Sequence, residues 1–237
     1  MKIVIVSDLH ANLAAVEALP ERDYDQLWCI GDLVDYGPRP REVIRWVRDH
    51  ADVAVRGNHD HAVGYDVDPQ CSPPFRRLAA ETRRVTQSVC SQEEISYLRD
   101  LPIQRELSFG ETRFYLVHAV PTDPLFGYCT ETSPRWKREA TWTKADVLIV
   151  GHTHTPFIRV VDHTTIINPG SIGQPKTGRP DACYAVWVDG KASLKEYRYP
   201  VGETISQIRK MPISPEDQDG LAIALETGSP TIQPQRA

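Results

Sequence analysis

The stretch Ile3-Val4-Ile5-Val6-Ser7-Asp8-Leu9-His10 joins a continuous β-branched run to a loop that carries a carboxylate and an imidazole. An uninterrupted apolar run of this kind is typical of a strand buried on both faces of a sheet. Residues 27–30 and 53–55 repeat the pattern, and stretches with helical periodicity lie between the three runs. This β-α-β-α-β order favours a parallel sheet with right-handed crossovers.

Each of five apolar segments is followed by a loop that carries Asp, Asn or His. In chain order these polar residues are Asp8, His10, Asp32, Asp35, Asn58, His59, Asp60, His118, His152 and His154. In α/β folds the ends of the strands form the crevice in which sites are built. Because five of the eight histidines fall in these loops, we expect the loops to meet at one site.

Imidazole and carboxylate ligands without thiolates suit Mn, Fe, Co or Zn. Seven candidate ligands are too many for one ion and about right for two ions that share a bridging carboxylate. Two ions about 3.5–4 Å apart form the clamp used for in-line displacement at phosphorus. Two divalent ions, two carboxylates and one hydroxide leave a charge of about +1, which would attract a phosphate.

Composition excludes several other classes of protein. The 237 residues carry 27 Lys and Arg against 32 Asp and Glu, a formal net charge of −5, and 41% are hydrophobic. These values argue against a disordered chain and against a polyanion-coating protein. No apolar run approaches the ~18–20 residues that span a bilayer, and the first residues lack a secretory signal. The five scattered cysteines form no C-x-x-C pair, so we expect a cytoplasmic protein with reduced thiols.

The polar loops together resemble the five blocks of the calcineurin-like metallophosphoesterases. The matching motifs are Asp8-Leu9-His10, Gly31-Asp32-x-x-Asp35, Gly57-Asn58-His59-Asp60, His118 and Gly151-His152-Thr153-His154, in the family's order over roughly residues 8–154. The later stretch Asn168-Pro169-Gly170-Ser171 and the short length are similar to the compact bacterial phosphodiesterase branch. The resemblance implies an α/β fold, a four-layer α/β/β/α sandwich of two mixed sheets, as a single domain over residues 1–211. Residues 212–237 are polar and contain prolines, and we expect either a loose tail or an arm docked on the body.

The resemblance also implies a role for each residue of the site. One metal would be held by Asp8, His10, Asp32 and His154. A second metal would be held by Asp32, Asn58, His118 and His152, so that Asp32 bridges the two ions together with a hydroxide. His59 would not be a ligand but a general acid or a hydrogen-bond donor to the phosphoryl oxygen, oriented by Asp35. Asp60 is either a residue that orients a neighbour or a loop-forming residue.

Two positions depart from the family's pattern. Tyr36 stands where the phosphoprotein phosphatases of this superfamily carry an Arg that grips the phosphate, although Arg56 precedes Gly57 as it does there. Ala11 stands where many relatives have Gly. The first departure makes a dedicated protein phosphatase the less favoured reading.

The function implied is a metal-dependent hydrolase of phosphate esters, with a phosphodiesterase favoured because a compact chain leaves an open cleft. The alternatives are a phosphomonoesterase or phosphoprotein phosphatase on the same site and, less favoured, a non-catalytic scaffold of the same fold. The implied cofactors are two divalent transition-metal ions, with Mn favoured and Fe, Zn, Co or Ni also suited. The expected partner is a small phosphorylated substrate, with nucleotides among the candidates. No membrane and no nucleic-acid polymer is expected, and the oligomeric state stays open.

Two further groups of residues each have two interpretations. The spacing of Arg76, Arg77, Arg83 and Arg84 places them on one helix face, which is either a solvated face or a basic rim for a larger phosphorylated substrate. Aromatic residues between the fourth and fifth blocks either pack in the core or stack a nucleobase: Phe126, Tyr128, Trp136 and Trp142.

Overall fold

The computed structural model describes residues 1–229. Its strands are β1 Lys2–Val6, β2 Gln26–Cys29, β3 Val53–Ala54, β4 Gln104–Phe109, β5 Thr112–Val117, β6 Val147–Ile149, β7 Phe157–Val161, β8 Thr164–Asn168, β9 Ala182–Val188 and β10 Lys191–Tyr197. Its helices are α1 Leu13–Glu17, α2 Pro40–His50, α3 Asn58–Tyr65, α4 Arg76–Val89, α5 Gln92–Asp100, α6 Trp136–Thr143, α7 Val201–Ile208 and α8 Pro215–Thr227.

The strands form two mixed sheets of five strands each. The first has the order β10-β9-β1-β2-β3, with β1, β2 and β3 parallel and β9 antiparallel to β1. The second has the order β4-β5-β6-β8-β7, with β5, β6 and β8 parallel. Asp189 and Gly190 make the predicted hairpin turn between β9 and β10, and Gly110 makes the one between β4 and β5.

Side chains that alternate along the strands fill the space between the sheets and the space outside each sheet. Ile3 and Ile5 of β1 pack with Phe114 and Leu116 of β5 in the inner core. On the outer face of the first sheet, Val4 and Val6 pack with the apolar side of α1 and α2. On the outer face of the second sheet, Tyr115 and Leu148 pack with Trp136 of α6. The predicted four-layer α/β/β/α sandwich is therefore confirmed.

Local signals in the sequence account for several helix boundaries. The Asn12 side chain accepts the backbone N–H of Ala15 and so caps α1. Ser91 and Glu94 form the predicted capping box of α5, with each side chain bonded to the other residue's backbone N–H. Such caps supply partners for the N–H groups that the first helical turn leaves free.

Part of the segment after residue 211 forms a helix that docks on the body. Leu221 and Leu225 of α8 are buried against Phe75, Leu78 and Ile208. Two arrangements were expected for residues 212–237, and residues 215–227 adopt the docked one. Residues 230–237 lie outside the described residues. The domain limit at 211 stays a prediction.

The five cysteines of the chain are all free thiols. Within residues 1–229, none of the helices has the length and apolar character needed to cross a membrane.

Candidate metal centre

The loops after β1, β2, β3, β5 and β6 meet at one edge of the sandwich and bring the seven predicted ligands together. Backbone hydrogen bonds hold neighbouring loops in register, among them His10 N to Asp32 O at 2.9 Å and Gly151 N to His118 O at 2.8 Å. Two groups of side chains each place their ligand atoms within 4.8 Å of one another: Asp8, His10, Asp32 and His154, and then Asp32, His118 and His152. Asp32 belongs to both groups, which is the arrangement expected of a bridging carboxylate.

Two imidazole nitrogens lie close together in the first group. Nδ1 of His10 donates to the Val34 carbonyl at 2.9 Å, and Nδ1 of His154 donates to the Gln174 carbonyl at 2.6 Å. Burial lowers the pKa of His10 to about 3 and lowers that of His154 well below its usual range. Burial thus favours the uncharged form of both rings, in which the two Nε2 atoms, 3.1 Å apart, both carry lone pairs and repel each other. A cation between them relieves this repulsion and takes both as ligands.

One oxygen of the Asp8 carboxylate, beside these rings, also lacks a donor, whereas the other accepts the His152 N–H at 3.2 Å. Oδ1 of Asp8 is buried and accepts no hydrogen bond from residues 1–229. It lies 3.3 Å from Nε2 of His154. A buried carboxylate oxygen without a donor is costly, and a metal ion bound to this oxygen removes that cost. The donor set of the first group thus fits a divalent transition metal.

The second group gathers acceptors around one nitrogen of His118. Its Nδ1 donates to the Ile30 carbonyl at 2.6 Å. Its Nε2 lies 3.1 Å from Oδ1 of Asn58, 3.2 Å from Oδ2 of Asp32 and 3.3 Å from Nδ1 of His152. Burial opposes protonation of His118, but the Asp32 carboxylate outweighs burial and raises its pKa to about 10. The acceptors around Nε2 therefore favour a positive charge at this position, which a metal ion would supply.

The amide of Asn58 is oriented for the same role. Its Nδ2 donates to the Pro69 carbonyl at 2.7 Å. This bond orients Oδ1 towards two ring nitrogens, Nε2 of His118 and Nδ1 of His152, each at 3.1 Å. Amide oxygen is a suitable metal ligand beside imidazole and carboxylate.

The ligand loops adopt backbone conformations that non-glycine residues rarely occupy. Five of the seven candidate ligands have positive φ, from 42° to 68°: Asp8, His10, Asp32, His152 and His154. Residues held in this region cost about 1–3 kcal/mol each and cluster at functional sites. Ala11, which stands where many relatives have Gly, lies in the first of these loops and also has a positive φ, 50°.

Asp60 ties the second and third loops together. Its carboxylate accepts the backbone N–H groups of Asp32 and Leu33 at 2.8 Å each and that of Gly57 at 2.9 Å. A Cβ at Gly57 would stand 2.0 Å from Oδ1 of Asp32, so only glycine fits at this position. Of the two roles considered for Asp60, the structure favours the one that orients a neighbour.

His59 stands beside the metal centre without entering either ligand group. Its Nδ1 lies 2.9 Å from Oδ2 of Asp35, whose Oδ1 accepts the hydroxyl of Thr86 at 3.2 Å. Burial opposes the charged ring, but the carboxylates of Asp32 and Asp35 raise the pKa of His59. Because Asp35 occupies Nδ1, the Nε2 of His59 is the nitrogen left for a molecule in the cleft.

A cleft of about 340 Å³ opens over the centre. Its lining includes the candidate ligands Asp32, Asn58, His152 and His154, together with Tyr36, His59, Gln70, Cys71, Ser72, Pro73, Arg76, Phe126, Tyr128 and Lys176. The Tyr128 ring is 59% exposed and meets the ring of His152 at 5.9 Å between centroids. The cleft therefore offers both charged and aromatic surface to a ligand.

The structure separates the residues that had two interpretations. Phe126 and Tyr128 line the cleft, whereas Trp136 is buried in the outer core and Trp142 packs on Tyr115. Of the four arginines on α4, Arg76 lines the cleft. The other three are engaged elsewhere, Arg77 with Glu216 and Asp217, Arg83 with the Val67 carbonyl and Arg84 with Glu81. Of these four arginines, Arg76 alone therefore contributes to a basic rim of the cleft.

Arg56 and Tyr36, the two positions compared with the phosphoprotein phosphatases, provide no cation to the cleft. Arg56 donates to the Arg99 carbonyl and to the Tyr65 hydroxyl, so it is bound to α5 and not to the cleft. Tyr36 is buried between the rings of His10 and His59, at 4.8 and 4.9 Å between centroids. No cation is supplied from either position.

Sequence reasoning missed the loop that follows β8. Gln174 holds the ring of His154 through its carbonyl, and Lys176 lines the cleft. The signal was the stretch 168–171, which leads into this loop and whose Ser171 hydroxyl donates to the Asp8 carbonyl at 2.7 Å. A lysine or a backbone carbonyl after such a turn has no pattern of its own, so neither role was predicted.

Comparisons with known proteins agree with this geometry. A family model described as the calcineurin-like phosphoesterase superfamily domain matches residues 1–190. A metallophosphoesterase from Sphaerobacter thermophilus has a crystal structure that is 30% identical, with a TM-score of 0.80, over 96% of this chain and 100% of that chain. An uncharacterized protein of Methanocaldococcus jannaschii is 28% identical over 88% of this chain and 92% of its own length. The phosphodiesterase YfcE of Escherichia coli K12 is 26% identical over 76% of this chain and 84% of its own length. The chain therefore belongs to the calcineurin-like phosphoesterase superfamily.

Proposed function

We propose that this protein is a phosphodiesterase that uses two divalent transition-metal ions. The observation that carries the proposal is the 3.1 Å approach of His10 Nε2 to His154 Nε2, with each Nδ1 donating to a backbone carbonyl, beside an Asp8 oxygen that accepts no hydrogen bond from residues 1–229. Without a cation this arrangement is repulsive. The resemblance to a phosphodiesterase along 84% of that protein's length supports the same class of activity.

Seven side chains would hold the ions. The first ion would take Asp8, His10, Asp32 and His154, and the second would take Asp32, Asn58, His118 and His152. When bound, the ions supply a hydroxide nucleophile at neutral pH and neutralise charge on the phosphoryl oxygens. Manganese is the favoured metal, and the same ligands accept Fe, Zn, Co or Ni.

His59 would act on the phosphoryl group or on the leaving oxygen. Asp35 fixes the ring through Nδ1 at 2.9 Å, and Thr86 in turn fixes Asp35. The Nε2–H of the protonated ring is then available to the alkoxide that leaves, a role that is typically worth ~10²–10⁴-fold in rate. His59 and Asp35 are thus the proposed catalytic and positioning residues.

The surface of the cleft favours a diester over a monoester. Tyr128 and Phe126 provide aromatic surface on which the second ester group can rest. Tyr36 replaces the arginine that would grip a terminal phosphate in the phosphoprotein phosphatases. The expected substrate is therefore a small phosphodiester with an aromatic or nucleoside group.

The test is hydrolysis of bis(p-nitrophenyl) phosphate beside p-nitrophenyl phosphate. The protein is stripped with a chelator and then given Mn, Co, Ni, Zn or Mg in turn. We expect activity that requires added metal and is greater with the diester, in the wild type and in the exposed control variant His163→Ala. Preference for the monoester would assign a phosphatase instead, and inactivity with every metal would contradict the proposal.

A further inference from the structure

Two cations line the cleft without an anionic partner. Within residues 1–229, neither the Arg76 guanidinium nor the Lys176 ammonium forms an ion pair or a side-chain hydrogen bond. The neighbouring Arg77, in contrast, is paired with two carboxylates of α8. An arginine and a lysine left unpaired in one cleft indicate that the cleft itself receives negative charge.

Lys176 is fixed in position by the metal-binding loops and by an aromatic ring. Its backbone N–H donates to the carbonyl of the candidate ligand His154 at 3.4 Å. Its Nζ stands 4.7 Å from the centroid of Phe75, a ring that is almost fully buried. Phe75 directly precedes Arg76 in the chain, and both cations line the same cleft.

Burial makes the Lys176 ammonium costly unless an anion comes to it. The side chain is partly buried, and the carboxylates that attract its charge are those of Asp8 and Asp32. Under the proposed function those two carboxylates are metal ligands, and their charge is already balanced by the ions. The ions and the two side chains then repel one another unless an anion lies between them.

A single phosphoryl group does not account for all of these cations. The scissile group would be covered by the ions and by His59. Lys176 and Arg76 are additional, and a lysine together with an arginine is a common arrangement for a phosphate. The two additional cations, Lys176 and Arg76, therefore fit a second phosphate group adjacent to the scissile one.

We propose that Lys176 and Arg76 form a second anion site, which selects substrates whose leaving group is itself a phosphate. The inference rests on the proposed function and names the substrate class, diphosphate or polyphosphate esters of an aromatic alcohol or nucleoside. Water's oxygen bonds to the scissile phosphorus, and the electron pair of the P–O–P bond stays on the leaving phosphate. The two protons of water pass to the two phosphate products or to solvent, and Lys176 and Arg76 stabilise the charge that develops on the leaving phosphate.

The first test compares two substrates in the metal-loaded protein. One is P1,P2-di(adenosine-5′) diphosphate and the other is bis(p-nitrophenyl) phosphate, which has one phosphate. We expect Lys176→Met and Arg76→Gln to lower the ratio of kcat/KM for the diphosphate to kcat/KM for the monophosphate diester by roughly 10- to 100-fold. Lys176→Arg restores most of the ratio, and the exposed control Lys137→Met leaves it unchanged. An unchanged ratio in both Lys176→Met and Arg76→Gln overturns the inference.

The second test measures binding and needs no turnover. Calorimetry at constant free metal compares α,β-methylene-ADP, which has two phosphates, with AMP, which has one. We expect the wild type to bind the former about tenfold or more tightly, and Lys176→Met to lose this preference. Equal affinities in the wild type overturn the inference even when the diester is hydrolysed. If neither ester is hydrolysed but the Lys176-dependent preference is present, the proposed function fails and the second anion site stands.

Discussion

Removal of the His59 ring separates two roles that the geometry allows for it. The ring contacts Asp35 through Nδ1, whereas the bond from residue 59 to the bridging carboxylate comes from its backbone N–H, 2.9 Å from Oδ1 of Asp32. His59→Ala therefore removes the proposed proton donor and keeps the main-chain contact to Asp32, the proposed bridging ligand. We expect full metal content and a lower rate in this variant.

The size of the loss depends on the leaving group. General acid catalysis is worth ~10²–10⁴-fold, or about 2.7–5.5 kcal/mol of activation free energy. A nucleoside alkoxide needs that proton, whereas p-nitrophenolate leaves without one at neutral pH. His59→Ala should lose the full factor on a dinucleoside phosphate and less than about tenfold on a nucleoside p-nitrophenyl phosphate.

The assay is product formation by liquid chromatography for both substrates, with metal content measured in the same samples. Asp35→Asn keeps the shape of the residue that orients the ring, and we expect it to lose about 10–100-fold on the dinucleoside substrate. Equal large losses on both substrates would assign His59 to the phosphoryl oxygen instead of the leaving group. Wild-type rates on the dinucleoside phosphate, or loss of metal from His59→Ala, would refute the reasoning.

Three further predictions concern a ligand loop, the cleft and the capping box of α5. Gly57→Ala would place a Cβ 2.0 Å from Oδ1 of Asp32, so metal titration should show affinity lower by at least ~10–100-fold. Gly202→Ala, in open space on α7, should keep that affinity, and equal affinities in the two variants would count against the steric account. Tyr128→Ala should raise KM by ~3–10-fold for a diester with an aromatic second group and not for its methyl counterpart; an equal rise for both would exclude stacking. Glu94→Gln should lower the free energy of unfolding by about 2 kcal/mol at pH 7 in urea titrations. Although burial opposes it, hydrogen bonds from Ser91 and Arg41 lower the pKa of Glu94, so this difference should shrink as the pH falls through that lowered pKa, and a constant difference would contradict the assignment.

The parts of the fold that could be predicted are those that local chemistry specifies. Buried β-branched runs marked the central strands, and Asn12 and Ser91 marked helix starts because their side chains cap free N–H groups. The candidate ligands could be found because each follows a strand, and parallel strands deliver their ends to one edge of a sheet. The positions of these residues after successive strands therefore predicted the candidate site.

Other parts depend on tertiary contacts that the sequence does not display. Asn58 begins a helix, α3, although residues 57–60 resemble a loop, because Asp60, the third helical residue, accepts the N–H of the N-cap residue Gly57 as in a capping box. Ser214, followed by Pro215 at the first turn, marks the start of α8, but the prolines and polar composition of this region suggested a tail. Lys176 looks like any surface lysine until Phe75 and the metal-binding loops are placed around it.

Metal content per chain tests the central claim most directly. The protein is reconstituted with Mn, separated from free ions and analysed by plasma mass spectrometry against protein concentration. The shared position of Asp32 in both ligand groups predicts about two ions per chain in the wild type, about two in His163→Ala and nearly none in Asp32→Ala. One ion or fewer in the wild type, or two ions in Asp32→Ala, would contradict the account.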